Sequence, residues 1–120
     1  MAGHNEIGKQ GEEIACEFLK RKGYVILWRN YRTKRAEIDI IARHKGVLVF
    51  VEVRSKQHEW FGSPEHTINA KKIAQLKKNA IAYAHRERYQ GPCRVDAVCL
   101  AIGQTGMPKR VGHYENIVEA

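Results

Sequence analysis

The chain has 120 residues, 43% of them apolar and 28% charged, close to the roughly 45–50% and about 25% of soluble globular domains. That composition excludes a disordered, collagenous or membrane-embedded chain and sets an expectation of one domain. Twenty-one Lys and Arg against 13 Asp and Glu leave a net charge of +8 and a sequence pI near 9.6, so a polyanion is the expected partner class.

Ile7, Gly11, Ile14, Ala15, Phe18 and Leu19 recur at helical spacing and predict a first helix over about 5–22. Lys20, Arg21 and Lys22 match the dipole of its last turn, and Gly23 is its C′ residue. Tyr24 to Trp28 is β-branched and aromatic enough for a strand, and strands at about 36–43 and 47–54 follow, separated by a turn around Lys45 and Gly46. Gly62 and Pro64 break regular structure. Asn69 is the expected N-cap of a second helix over about 70–87, with Ile73, Leu76, Ala80, Ile81 and Ala84 as its apolar face. A strand over about 94–101, a turn from Gly103 to Pro108 and a short final strand complete an αβββαββ order.

No apolar run approaches the roughly 20 residues of a membrane span. The first ten residues carry no apolar signal core, so the cytoplasm is the expected compartment. Cys16, Cys93 and Cys99 form no CxxC pair and are expected to be small buried hydrophobes. The six histidines form neither HxxxH nor HExxH, and none is assigned a metal role.

Chemistry concentrates in the hairpin. With Lys45 and Gly46 as its loop, Asp39 faces Glu52 and Glu37 faces Arg54, all on one side. Ile38, Ile40, Ala42, Val49, Val51 and Val53 then form the opposite, apolar face. Carboxylates directly opposite on neighbouring strands have Cβ atoms about 4.5–5.5 Å apart and repel unless compensated. A bound Mg²⁺ or Mn²⁺ is one compensation. Surface ion pairs, for example Glu37 with Arg54, are the other.

Gly11-Glu12, Gly23-Tyr24, Arg29-Asn30-Tyr31-Arg32, Glu37-Ile38-Asp39-Ile40-Ile41, Phe50-Val51-Glu52-Val53-Arg54, Gly62-Ser63-Pro64, Lys72 and Arg94-Val95-Asp96-Ala97-Val98 occur in this order. The set resembles the small bacterial YraN family and covers nearly the whole chain. That family looks like a branch of the PD-(D/E)xK nucleases, similar to archaeal Holliday-junction resolvases. The resemblance implies a restriction-endonuclease-like α/β fold with a mixed sheet flanked by helices. It makes Asp39 and Glu52 the metal-binding acids and Glu12 a further ligand or metal-water contact. Arg54 stands where the superfamily has lysine, and Ala36 where the family usually has glycine. Arginine stays protonated and supplies only charge and donors, whereas lysine can shift its pKa to orient or deprotonate water.

These readings describe a metal-dependent, structure-selective endonuclease acting on DNA, Holliday-junction resolvase-like, in repair or recombination. Glu37 either contributes to catalysis or pairs with Arg54. Arg29, Arg32, Lys34, Arg35, Lys56, Lys71, Lys77 and Lys78 are expected to track phosphates, and Lys72 touches phosphate at a helix start or is simply solvated. Trp60 and Phe61 either stack on an unpaired base or are buried as a core pair. A homodimer fits symmetric cutting of two strands. The alternatives are a non-catalytic nucleic-acid-binding module that keeps the nuclease fold and a basic structural protein of an RNA assembly.

Overall fold

Lys45 and Gly46 have φ angles of 51° and 79°, the two positive values of a two-residue hairpin turn whose twist matches that of its strands. This turn sets the register of the sheet's centre. The computed structural model describes residues 4–60 and 62–118. It comprises α1 (His4–Arg21), β1 (Val25–Arg32), β2 (Glu37–His44), β3 (Val47–Lys56), a 3₁₀ turn (Pro64–Thr67), α2 (Ala70–Glu87), β4 (Cys93–Ile102) and β5 (Pro108–Tyr114). The five strands form one mixed sheet in the order β1-β2-β3-β4-β5. Only β3 and β4 run parallel, because only they are joined by a crossover long enough to carry a helix. The architecture is α/β, consistent with a restriction-endonuclease-like fold. No helix among the described residues is long and apolar enough to cross a membrane.

The two helices bury opposite faces of the sheet. On the α1 side Ala15, Cys16 and Leu19 pack on Ile40, Ala42, Val49, Val51, Val98 and Leu100. On the α2 side Leu76 and Ala80 pack on Ile38, Ile41, Leu48, Phe50 and Val95. α1 ends as expected: Gly23 has φ 92°, its N–H donates to Lys20 O, and the Tyr24 N–H reaches back to Leu19 O, both at 3.0 Å. These are the two bonds of a Schellman motif. Asn69 caps α2 by accepting the Lys72 N–H at 2.9 Å.

Several expectations need correction. β1 continues to Arg32 rather than stopping at Trp28, because an edge strand needs a ladder partner on one side only and tolerates polar residues such as Arg29 and Asn30. Ile38 lies on the α2 side, not with Ile40. Ile81 is 59% exposed, and Asn79 is buried in its place on α2. Cys16 and Cys99 are buried but Cys93 is exposed at the start of β4.

Gly11 sets how closely α1 approaches β3. A Cβ there would overlap Ser55 Oγ and lie 2.9 Å from Ser55 Cβ. Gly8, one turn earlier, has open space around it. In an open helical position Gly→Ala gains up to about 1 kcal/mol, whereas overpacking costs about 1–3 kcal/mol. Gly8→Ala is therefore expected to raise the thermal midpoint and Gly11→Ala to lower it, by opposite shifts of a few degrees in the same melting experiment.

Candidate active site

The hairpin register expected from the sequence is the register observed, with Ile40 opposite Val51 and His44 opposite Val47. The ladder stops at Ile40, one step before Asp39 meets Glu52. There the Asp39 side chain takes over from the backbone: its Oδ2 accepts the Val53 N–H at 2.8 Å. The strands part at this point, and an open cleft of about 560 Å³ begins, walled by Thr33, Lys34, Arg35, Glu37, Asp39, Glu52, Arg54, Lys72, Gln75 and Asn79.

Glu52 is buried and takes two cations on one oxygen. Arg54 Nη2 lies 2.8 Å and Lys72 Nζ 3.3 Å from its Oε2. Among the described residues Asp39 has no ion-pair partner; it accepts the Val53 N–H and lies within hydrogen-bond reach of the Glu52 carboxyl. Burial, then the neighbouring Glu52 charge, push its carboxyl well above the usual carboxylate range. Holding this carboxyl, which the unfolded chain ionises freely, therefore costs the metal-free fold stability at neutral pH. A raised carboxylate destabilises least below its unfolded pKa of about 3.9 and most once the pH exceeds its folded value. The Asp39→Asn variant without metal is expected to be more stable than wild type at pH 8, with the difference vanishing toward pH 4. Denaturant unfolding at both pH values measures this; equal stability at pH 8 would remove the charge conflict from the site.

Glu12 does not line the cleft. It projects from α1 toward β1, where Asn30, with its amide turned to donate, gives its Oε1 a 2.7 Å hydrogen bond. Burial raises its pKa against the pull of Arg29 and Arg32, and Glu52 is near enough to raise it further. Glu37 does not meet Arg54. It pairs with Arg32 at 2.9 Å, since the β1–β2 ladder sets Arg32 directly opposite it.

Among the expected phosphate contacts, Lys34, Arg35 and Lys72 line the cleft. Arg29 is held by Glu13 at 2.9 Å and Lys56 by the Gly62 carbonyl at 3.2 Å; neither lines the cleft. Trp60 is 81% exposed and stacked on His58 with ring centroids 4.4 Å apart, so it is no core residue. Phe61 lies outside the described residues. Gln75 and Asn79 are cleft residues that sequence reading missed. Their signal was the spacing 72, 75, 79 along one face of α2. Asn79 Nδ2 donates to Glu37 O at 2.8 Å and ties α2 to the start of β2.

The sequence profile of the UPF0102 family, an uncharacterised protein family, matches residues 11–100. The chain belongs to the UPF0102 family, the YraN family that its motifs resemble. It is 44% identical over 109 residues to a UPF0102 protein of Thermotoga petrophila, covering 91% of this chain and 94% of that one. A Carboxydothermus hydrogenoformans relative is 42% identical over 115 residues, covering 95% and 96%. A Phocaeicola vulgatus relative is 36% identical over 115 residues, covering 96% and 93%.

The matched UPF0102 segment includes a second buried acid with a different character. Asp96 is fully buried. Its Oδ1 accepts from Arg94 Nε at 2.9 Å and from the Asn116 N–H at 3.0 Å. Its Oδ2 accepts from Arg94 Nη2 at 3.3 Å and from His113 Nε2 at 2.8 Å. Lys22 Nζ, a donor only, lies 2.6 Å from His113 Nδ1, so Nδ1 accepts and Nε2 carries the ring proton. Asp96, His113 and Glu115 offer ligand atoms within 4.8 Å of one another, a spacing that could hold a metal ion, and among the described residues His113 is the one histidine drawn into such a group. In this UPF0102 protein that spacing is already bridged by the Arg94 guanidinium, 2.9 Å from Asp96 and 3.6 Å from Glu115.

Proposed function

We propose that this protein is a metal-dependent endonuclease that hydrolyses DNA phosphodiester bonds, with branched or otherwise structured DNA as substrate, in repair or recombination. The observation that carries this reading is Asp39 beside Glu52 at the mouth of a cleft rimmed with cations, where Asp39 has no ion-pair partner among the described residues. Two adjacent hard carboxylates suit Mg²⁺ or Mn²⁺. A cation held there would supply Lewis-acid polarisation of the phosphate and of the attacking water.

In this reading Asp39 and Glu52 would hold the cation, and Glu12, off the cleft wall but near enough to feel the Glu52 charge, would reach it through a metal-bound water. Arg54 stabilises the charge developing on the phosphate; its Nε is buried without a partner and remains as a donor. Lys72 adds a second point charge beside it on the same Glu52 oxygen. Its place follows from the Asn69 cap, which starts α2 at the cleft. Lys34 and Arg35 hold the flanking backbone, and Trp60 offers an exposed face to an unpaired base. A two-fold dimer would present two such clefts to symmetric strands.

The test is cleavage of labelled four-way junction, flap, duplex and single-stranded DNA with Mg²⁺, Mn²⁺ or EDTA. Cutting that needs metal and favours a branched substrate is expected. Tight binding with no cutting in either metal would leave the non-catalytic binding module, the reading favoured by arginine at position 54.

A further inference from the structure

Beyond the cleft, a second groove of about 900 Å³ runs between the β1–β2 connection and the outer face of α2. Thr33, Lys34 and Arg35 line both spaces, so the β1–β2 connection is a wall common to the two. On its far wall Lys78, Ile81 and His85 recur at helical spacing, and so do Ala82 and Arg86. Lys34, Arg35 and Lys78 are exposed, and among the described residues they have no ion-pair partner.

We infer that this groove carries the sugar–phosphate backbone of DNA away from the cleavage site, in one direction, along α2. The nuclease reading enters only as the identity of the polyanion. From Lys72 to Arg86 the helix extends about 20 Å at 1.5 Å per residue, the axial length of about six nucleotides at 3.4 Å each. The acids lie in the cleft and the groove beyond the shared Lys34–Arg35 wall is lined by cations, so a strand leaving the cleft is led past Lys34 and Arg35 toward Lys78 and Arg86. Ile81, 59% exposed between those cations, is an apolar wall suited to deoxyribose. A flat anionic membrane would not need a concave path that shares a wall with a carboxylate-bearing cleft.

The experiment is anisotropy of a labelled 30-base-pair duplex in EDTA, from 50 to 200 mM salt, on four proteins. These are wild type, Lys78→Gln/Arg86→Gln, Ile81→Ser, and Lys9→Gln/Lys109→Gln as a control that removes equal charge from surfaces outside the groove. Each phosphate contact contributes about 0.9 to the slope of log K against log salt. The groove pair is expected to lower the slope by about 1.8 and affinity by about tenfold at 100 mM salt. Ile81→Ser is expected to weaken binding with its slope unchanged, and the control to stay within about twofold of wild type. An equal loss in the control would reduce the effect to net charge and overturn the inference. Unchanged DNA binding in the groove pair would also overturn it, as would loss of binding only to phosphatidylserine vesicles, which would make the groove a membrane surface. Because EDTA prevents cutting, the two readings fail separately. Groove-dependent affinity in a protein that never cleaves sinks the nuclease and keeps the groove; cleavage with groove-independent affinity does the reverse.

Discussion

Asp39→Asn and Glu52→Gln are each expected to lower metal-dependent DNA cleavage on the order of 10³-fold, about 4 kcal/mol of transition-state stabilisation, while DNA binding in EDTA changes little. The two substitutions act differently. Asp39→Asn preserves an oxygen to accept the Val53 N–H, so the strand separation that opens the cleft survives. It removes the cleft acid that has no ion-pair partner among the described residues. Glu52→Gln removes the charge that fixes both Arg54 and Lys72, freeing two cations to contact phosphate. Its DNA affinity is accordingly expected to equal or exceed that of wild type. Single-turnover cleavage at saturating DNA, with binding measured separately, checks both statements. Cleavage by Asp39→Asn within about tenfold of wild type would place the metal chemistry elsewhere.

Asp96→Ala is expected to destabilise the protein by about 3–5 kcal/mol, because it leaves Arg94 Nε and the His113 N–H without their acceptor and the guanidinium with only Tyr24 and the exposed Glu115. Arg94 is 19% exposed and His113 3%, so water replaces little of what is lost. Denaturant unfolding gives the difference directly, and a change below about 1 kcal/mol would show the network to be ornamental. Its pH dependence has the opposite sign to that of Asp39. Burial alone pushes Asp96 up, but hydrogen bonds from His113, Arg94 and the Asn116 N–H outweigh it and hold the carboxyl below the ordinary aspartate value. A lowered carboxylate stabilises the fold above its unfolded pKa and loses that contribution as acid protonates it. Asp96 thus strengthens the fold at neutral pH, where Asp39 weakens it. This difference in sign separates an acid retained for structure from one retained against stability, and the second kind marks functional sites.

The loop into α2 is fixed by a further ion-pair group. Arg110 binds Glu65 at 2.6 Å and Glu59 at 2.7 Å, and its hydrogen bonds lower the Glu65 carboxyl to about 2. Tyr114 adds a hydrogen bond to Glu65 at 2.6 Å. β5 therefore anchors the segment that starts α2 and so the position of Lys72.

What the sequence by itself determined is whatever short-range chemistry dictates. Gly23, Asn69 and the Lys45–Gly46 pair each satisfy a local backbone demand, so helix ends and hairpin register were legible. With the register came the placement of Asp39 next to Glu52. The run of family motifs likewise pointed to the group to which the chain belongs. Tertiary structure decided everything that depends on which surfaces meet. Arg32 captures Glu37 because β1 pairs with β2 at that position, and nothing local to Glu37 distinguishes Arg32 from Arg54. Asn79 is buried and Ile81 exposed because α2 meets the sheet on a face rotated from its most apolar one, where a polar side chain reaches the Glu37 carbonyl. Lys72 and Arg54 converge on one Glu52 oxygen from a helix and a strand, and Asp96 gathers partners from β4, β5 and the segment after β5. Such convergence has no signature in sequence spacing, because the distances that matter run between elements far apart along the chain.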